Sequence, residues 1–244
     1  MPSPKLTLLL LTTTLCAGCK PLPAPPPARL LFVGNSFTYY NGGLESHVKA
    51  LAESAHPPRR IIADRATKGG ATLQVLQGLD WVHDKLRAGG YDLVILQEDI
   101  PELTEHSVAP FFEQARNFAR EIREFRGKPV LFMAWPYARL NWVTLEQIAQ
   151  AHRVIGKELG VPVAPVGVAF ARALRERPGL AMLGRDQEHE SLHGTYLAAS
   201  VIYATIFGQS PKGLTYCPAG LSAEEAGFLQ EVAWATVRDW QQPQ

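Results

Sequence analysis

The sequence predicts a three-layer α/β/α sandwich in which helices cover both faces of a parallel, five-stranded sheet. Short apolar runs, each long enough for one buried strand, alternate with longer stretches in which apolar residues recur at helical spacing. Because parallel neighbours need a crossover connection, this repeated strand-helix order favours a parallel sheet covered on both sides. The predicted strands are residues 30–33, 60–63, 93–96, 130–133 and 161–163.

The predicted helices lie between and after these strands. Apolar residues recur with helical periodicity over residues 73–86, 111–125 and 145–159. A fourth helix is expected from about 195 to 207, and a fifth begins at the capping box of residues 222–225. No internal repeat or second linker interrupts this pattern, so we predict one domain over residues 29–244.

The N-terminal residues have the layout of an export signal. Lys5 precedes a run of apolar residues and Thr over residues 6–15, and two small residues stand directly before Cys19. The run is shorter than the roughly 20 residues that a membrane-spanning helix needs. We therefore predict a lipoprotein signal peptide over residues 1–18, with a cleaved signal that leaves no anchor as the alternative.

Residues 19–28 are predicted to tether the domain to a membrane. The segment before Cys19 resembles a bacterial lipobox, which implies acylation of the Cys19 thiol by a fatty acid such as palmitate. Lys20 follows, and by resemblance to sorting rules it implies the cell envelope, at the periplasmic face or the surface of the outer membrane. The proline-rich remainder favours an extended stalk.

Composition narrows the range of partners. The formal net charge is +1 and basic residues do not cluster, which argues against nucleic acid and leaves small neutral substrates as the better fit. Once the two leader cysteines are set aside only Cys217 remains, so an internal disulfide is not expected.

The first predicted strand ends in Gly34, Asn35 and Ser36. In open parallel sheets the ligand site lies at the carboxyl ends of the strands. A serine at a strand-to-helix turn is well placed for nucleophilic attack, because the helix N-terminus favours developing negative charge. Ser36 is therefore a candidate nucleophile, although a serine there can also simply cap a helix.

Two more strand ends supply possible hydrogen-bond donors for an oxyanion. Gly70 follows the second strand, where a glycine lets a backbone N–H face a site; taken alone, a plain turn before a helix capped by Thr72 is the simpler interpretation. Gln97 follows the third strand, and its amide could serve an oxyanion. Glu98 and Asp99 come next; adjacent residues on an extended segment point in opposite directions, so we interpret them as loop carboxylates.

Asp186 and His189 form the candidate acid-base pair. Their spacing of three residues lets the carboxylate orient the imidazole on one turn. A charged surface loop is the alternative. Four other histidines, His47, His56, His83 and His106, have no partner at a useful spacing and are expected to be solvated, whereas His152 lies on a helical stripe with Ile148 and Ile155 and is expected to be packed.

The same segment contains an H-E-x-x-H pattern over residues 189–193, typical of a zinc hydrolase helix, with Glu224 or Glu225 as a conceivable third ligand. Gly194 and the charged residues upstream argue against a helix there, so this interpretation is weaker and His193 is expected at a helix start.

Taken together, residues 34–38, 70–72, Gln97 and the Asp-x-x-His segment at 186–189 resemble the blocks of the SGNH (GDSL-like) hydrolase superfamily, and residues 31–40 and 194–199 resemble a little-characterised bacterial branch of it. The resemblance implies a flavodoxin-like fold and a serine esterase that needs no cofactor. It implies Ser36 as nucleophile, Asp186 and His189 as the base, and an oxyanion hole formed by Ser36, Gly70 and Gln97.

The expected substrates are small or carbohydrate-linked acyl esters. A catalytically inactive lipoprotein that keeps the fold in order to bind a carbohydrate or a partner is the alternative.

Overall fold

The computed structural model describes residues 28–100 and 107–242. The predicted leader, Cys19, most of the stalk and His106 lie outside these ranges. Five parallel strands form one sheet in the order β2-β1-β3-β4-β5, with helices on both faces, which confirms the predicted sandwich and its flavodoxin-like strand order. The strands are β1 Ala28–Gly34, β2 Ile61–Thr67, β3 Leu93–Gln97, β4 Lys128–Phe132 and β5 Val163–Ala164.

The helices agree in part with the predictions. The bounds are α1 Ser36–Tyr39, α2 Leu44–Glu53, α3 Leu73–Gln77, α4 Asp80–Gly89, α5 Ala109–Glu124, α6 Leu145–Leu159, α7 Val166–Glu176, α8 Leu192–Phe207 and α9 Ala223–Gln241. Among the residues that the structure describes, none of these helices is long and apolar enough to cross a bilayer.

Two differences from the prediction have local causes. The single helix predicted over 73–86 is two helices, because α3 ends at Gly78 and the chain is extended at Leu79 before α4 begins. Helices α2 and α7 were not predicted. Helix α2 carries buried polar residues, Glu45 and His47, on its inner face, so its buried face is not marked by apolar residues alone. Helix α7 follows β5 within one continuous apolar stretch, so the sequence does not show where the strand ends.

The centre of the sheet positions the candidate site. Leu30, Leu31, Phe32 and Val33 of β1 are completely buried, as expected for a strand covered on both faces. Strand β1 pairs with β2 on one side and β3 on the other, so its last residue lies beside the ends of both neighbours. Any residue that follows β1 is therefore surrounded by the turns after β2 and β3.

Candidate active site

Ser36 is the first residue of α1, directly after β1. The capping role at this helix belongs to its neighbour: the Asn35 side-chain oxygen accepts a hydrogen bond from the backbone N–H of Phe37 at 3.1 Å. The Asn35 amide nitrogen in turn donates to a carboxylate oxygen of Asp99 at 3.1 Å. The Ser36 hydroxyl is therefore not used as a helix cap.

The Gln97 amide makes hydrogen bonds within the nucleophile turn. Its side chain is fully buried, and its oxygen accepts from the Asn35 backbone N–H at 2.8 Å and from the Thr38 hydroxyl at 3.1 Å. Its nitrogen donates to the backbone oxygen of Glu98. One N–H of the amide is therefore engaged inside the protein, and the amide oxygen shapes the nucleophile turn from beneath. The second N–H has no partner among these contacts, so the oxyanion role of Gln97 stays a prediction.

The base and the nucleophile meet across the rim of the sheet. The His189 Nε2 lies 2.8 Å from the Ser36 hydroxyl oxygen, although 153 residues separate them in the chain. The His189 Nδ1 lies 2.8 Å from Asp186 Oδ2. Since a carboxylate only accepts, Nδ1 carries the proton, and Nε2 offers its lone pair to the Ser36 hydroxyl.

The Asp186 carboxylate also organises the turn that carries His189. Its second oxygen accepts the backbone N–H groups of Glu188 and His189 at 3.1 and 3.0 Å. The hydrogen bond from His189 is the main cause that lowers the pKa of Asp186, with these backbone bonds adding to it. The carboxylate therefore stays ionised and orients the imidazole.

Aromatic residues hold the imidazole from two sides. The Tyr40 ring stacks on it with centroids 4.3 Å apart and planes 14° apart, and Phe37 meets it edge-on at 5.6 Å. Trp135 is buried against Phe37 and donates its indole N–H to the Glu188 backbone oxygen at 3.0 Å. It supports the base from the core side.

Sequence reasoning missed Tyr40. It stands four residues after Ser36, but its partner lies in a segment far along the chain, so no local pattern indicates the contact.

The turn after β2 lies beside the nucleophile helix. The backbone N–H of Lys68 donates to the Gly34 oxygen at 3.2 Å, and Gly69 approaches the Tyr39 hydroxyl. Gly70 follows with φ of +62°, and a Cβ there would meet no atom within 4 Å.

The two predicted loop carboxylates lie near this turn as well. Glu98 is buried and accepts a hydrogen bond from the backbone N–H of Leu73, whereas Asp99 accepts one from the Asn35 side chain.

The H-E-x-x-H segment does not form the helix of a zinc hydrolase. Helix α8 begins at Leu192 with Ser191 as its cap, so His189 precedes the helix and the two histidines are not one helical turn apart. His193 lies at the helix start, as expected, and its Nε2 lies 3.0 Å from Glu225. Within residues 28–100 and 107–242, no three His, Cys, Asp or Glu side chains are grouped so that they could hold a metal ion.

Glu190, next to the base, is a buried acid. The residue is 1% exposed, and among the described residues neither carboxyl oxygen has a well-formed hydrogen bond. Burial raises the pKa of Glu190 well above its ordinary value, and its own backbone and Thr195 oppose this only weakly. The folded protein therefore holds a proton on Glu190 that the unfolded chain releases near its ordinary pKa of 4.5.

Glu190→Gln should stabilise the protein at neutral pH. The raised pKa means that Glu190 destabilises the fold progressively as pH rises from about 4 toward its folded-state pKa, whereas glutamine stays neutral. We expect the variant to gain on the order of 1–3 kcal/mol in unfolding free energy at pH 7 and to match the wild type near pH 4. Urea unfolding at several pH values measures this. The exposed Glu124→Gln is the control, and an unchanged difference across the pH range would contradict the assignment.

No family model and no curated protein matches the chain. Several solved structures do match the chain in fold. A DUF4886 family protein from Bacteroides uniformis superposes with a TM-score of 0.71 at 17% identity, over 90% of this chain and 98% of that one. A putative SGNH hydrolase from Slackia heliotrinireducens gives 0.59 at 22% identity, over 74% and 100%. A variant of an acetyl-xylooligosaccharide esterase from Geobacillus gives 0.60 at 19% identity, over 74% and 94%.

These likenesses cover most of the chain. Each is below 25% identical, so it bears on architecture rather than on activity. The chain has the fold of the SGNH hydrolases.

Proposed function

We propose that the protein is a serine hydrolase that cleaves acyl esters through Ser36, His189 and Asp186. The observation that carries this proposal is the unbroken line of contacts from the Ser36 hydroxyl through the His189 ring to the Asp186 carboxylate, with 2.8 Å at each step. A serine is a weak nucleophile on its own, and an adjacent base held by a third group is the arrangement that activates it.

The reaction follows from this geometry in two steps. The Nε2 lone pair takes the hydroxyl proton as the Ser36 oxygen attacks the ester carbonyl, and Asp186 stabilises the imidazolium that forms. The imidazolium then gives its proton to the leaving alkoxide, which departs as an alcohol. Water, deprotonated by the same nitrogen, attacks the acyl-serine. The imidazolium then returns this proton to the Ser36 oxygen as the carboxylic acid leaves.

The backbone N–H groups of Ser36 and Gly70 are the proposed oxyanion donors. The turn after β2 lies next to α1, and the positive φ of Gly70 gives this turn a backbone that residues with side chains rarely adopt. Gln97 is a proposed donor only through the second N–H of its amide, because the first donates to the Glu98 backbone oxygen and the amide oxygen holds the nucleophile turn.

Small or carbohydrate-linked acyl esters are the proposed substrates. Ser36 lies only partly buried, and Tyr40 above the base is about two fifths exposed, so the site is accessible from solvent. The fold shared with an acetyl-xylooligosaccharide esterase favours the carbohydrate-linked class. Ser36 and His189 carry the proton transfers, and Asp186 stabilises the charged imidazole.

Hydrolysis of 4-nitrophenyl acetate and of acetylated xylo-oligosaccharides by the full-length chain tests the proposal. We expect turnover that a chelator leaves unchanged and that a fluorophosphonate abolishes. Turnover that a chelator abolishes would contradict the serine mechanism. Binding of the oligosaccharide without any hydrolysis would instead identify an inactive binding protein.

We also propose that the protein is a lipoprotein of the cell envelope, anchored through Cys19. The support is the sequence alone, namely the apolar run, the small residues before Cys19 and the proline-rich segment after it. Cells fed an alkyne analogue of palmitate should label the wild type and leave Cys19→Ser unlabelled. Cys217→Ser, which changes the cysteine of the folded part, is the matched control and should label normally. Equal labelling of Cys19→Ser would contradict the anchor.

A further inference from the structure

Asn41 connects the element that carries the nucleophile to the loop that carries the base. Its side-chain nitrogen lies 2.8 Å from the backbone oxygen of Glu190, the residue directly after His189, and 2.8 Å from the Thr195 hydroxyl at the start of α8. An amide nitrogen has two N–H groups, so it can donate to both oxygens at once. Asn41 stands five residues after Ser36, and its two partners lie about 150 residues away.

The backbone of Asn41 is fixed as well. Its φ of 48° and ψ of 36° place it in the left-handed region, which asparagine tolerates better than most residues. Its carbonyl accepts a hydrogen bond from His47 Nε2 at 2.9 Å. The side chain of Asn41 therefore leaves a main chain that is held in place from the other side.

His47 is buried, contrary to the expectation that it is solvated. Its Nε2 must carry a proton to donate to the Asn41 carbonyl, so its Nδ1 accepts from the Tyr216 hydroxyl at 2.9 Å. Burial lowers the pKa of His47, which agrees with a neutral ring. A continuous polar chain thus runs from Tyr216 through His47 to Asn41 and on to the carbonyl beside His189.

The segment after α1 therefore contacts the base in two ways. Tyr40 stacks on the His189 ring, and Asn41 binds the main chain directly after that residue. The stack restrains the plane of the imidazole, whereas the amide restrains how far its backbone lies from the nucleophile turn. A shift of about 1 Å at this distance can cost about 100-fold in rate.

We propose that Asn41 is a positioning residue for the proposed acyl transfer: its carboxamide, bound to the Glu190 carbonyl and the Thr195 hydroxyl, holds His189 at hydrogen-bonding distance from Ser36. This inference rests on the proposed function. Asn41 itself contacts neither the Ser36 hydroxyl nor the imidazole among the contacts of the described residues, so it acts through the loop that it binds.

Two substitutions test the role. Asn41→Asp keeps the size and the left-handed backbone but replaces the donor with an acceptor that faces the Glu190 carbonyl; Asn41→Gly keeps the backbone and removes the side chain. In the full-length protein we expect both to lower kcat on 4-nitrophenyl acetate by about 10- to 100-fold with KM within about threefold. Labelling by a fluorophosphonate should slow by a similar factor.

The control is Arg126→Gly, which changes another residue with positive φ at the far end of α5. It should leave kcat unchanged. Each measured rate is divided by the fraction of protein that is folded, which thermal unfolding gives. If Asn41 had a merely structural role, its variants would have a lower melting temperature but a wild-type kcat per folded molecule. That outcome would overturn the proposal while leaving the proposed function intact.

A crystal structure of Asn41→Gly provides a readout that does not depend on turnover. We expect the His189 Nε2 to move out of hydrogen-bonding distance of the Ser36 oxygen. An unchanged 2.8 Å contact would overturn the proposal, whether or not the wild type hydrolyses any ester. Failure of the wild type itself to hydrolyse esters or to be labelled would count against the proposed function instead.

Discussion

Replacing Ser36 with alanine should lower kcat/KM for an acetyl ester by about 10⁴-fold or more, and replacing His189 with alanine should cost nearly as much. The two side chains act as one unit, because the hydroxyl attacks only when the imidazole takes its proton. Residues that act in this way show strongly non-additive losses. The double variant should therefore be scarcely less active than either single variant. Steady-state kinetics on 4-nitrophenyl acetate measures all three.

Ser46→Ala is the matched control for this experiment, since Ser46 is exposed on α2. It should retain wild-type activity. A Ser36→Ala variant that keeps more than a tenth of the wild-type rate would rule out Ser36 as the nucleophile. Independent losses that multiply in the double variant would show that the serine and the histidine do not cooperate.

Gly34→Ala should disrupt the nucleophile turn and lower both stability and activity. A Cβ on residue 34 would lie 2.5 Å from the Gln97 side-chain oxygen and 2.5 Å from the Thr38 hydroxyl oxygen. Neither atom can move freely, because they are hydrogen-bonded to each other and the Gln97 oxygen also holds the Asn35 backbone. We expect a loss of about 1–3 kcal/mol in unfolding free energy and a fall in kcat of about 100-fold from displacement of Ser36.

Gly227→Ala is the control for this substitution. Gly227 lies inside helix α9, and a Cβ there would meet nothing within 4 Å. It should gain about 0.5–1 kcal/mol, since glycine is a poor helix former. Urea unfolding and kinetics on both variants check the pair. A Gly34→Ala variant with wild-type stability and kcat would mean that Gln97 does not fill the space that glycine leaves.

The fold was predictable largely because its central strands are buried on both faces. Such strands appear as uninterrupted apolar runs, and Leu30 to Val33 form the clearest of them. Strand β2 lies at the edge of the sheet and is partly exposed along most of its length, so only its first residues were recognised. Helix α7 was missed because the apolar stretch runs without interruption from β5 into the helix, and no polar residue marks the boundary.

The candidate site was predictable where its contacts are local. Asp186 and His189 share one turn, so their spacing alone indicates the hydrogen bond. The direction of the Gln97 side chain depends instead on Gly34 of the neighbouring strand β1, where the missing glycine side chain provides the space for the amide. The contacts of Tyr40 and Asn41 join segments about 150 residues apart, and no spacing in the sequence records such contacts.

Mapping a covalent fluorophosphonate adduct by peptide mass spectrometry tests directly whether Ser36 is the nucleophile and whether His189 activates it. We expect one adduct on the wild type, located on Ser36, and no adduct on His189→Ala after the same exposure. An adduct on another residue, or equal labelling of Ser36 when His189 is absent, would contradict this expectation.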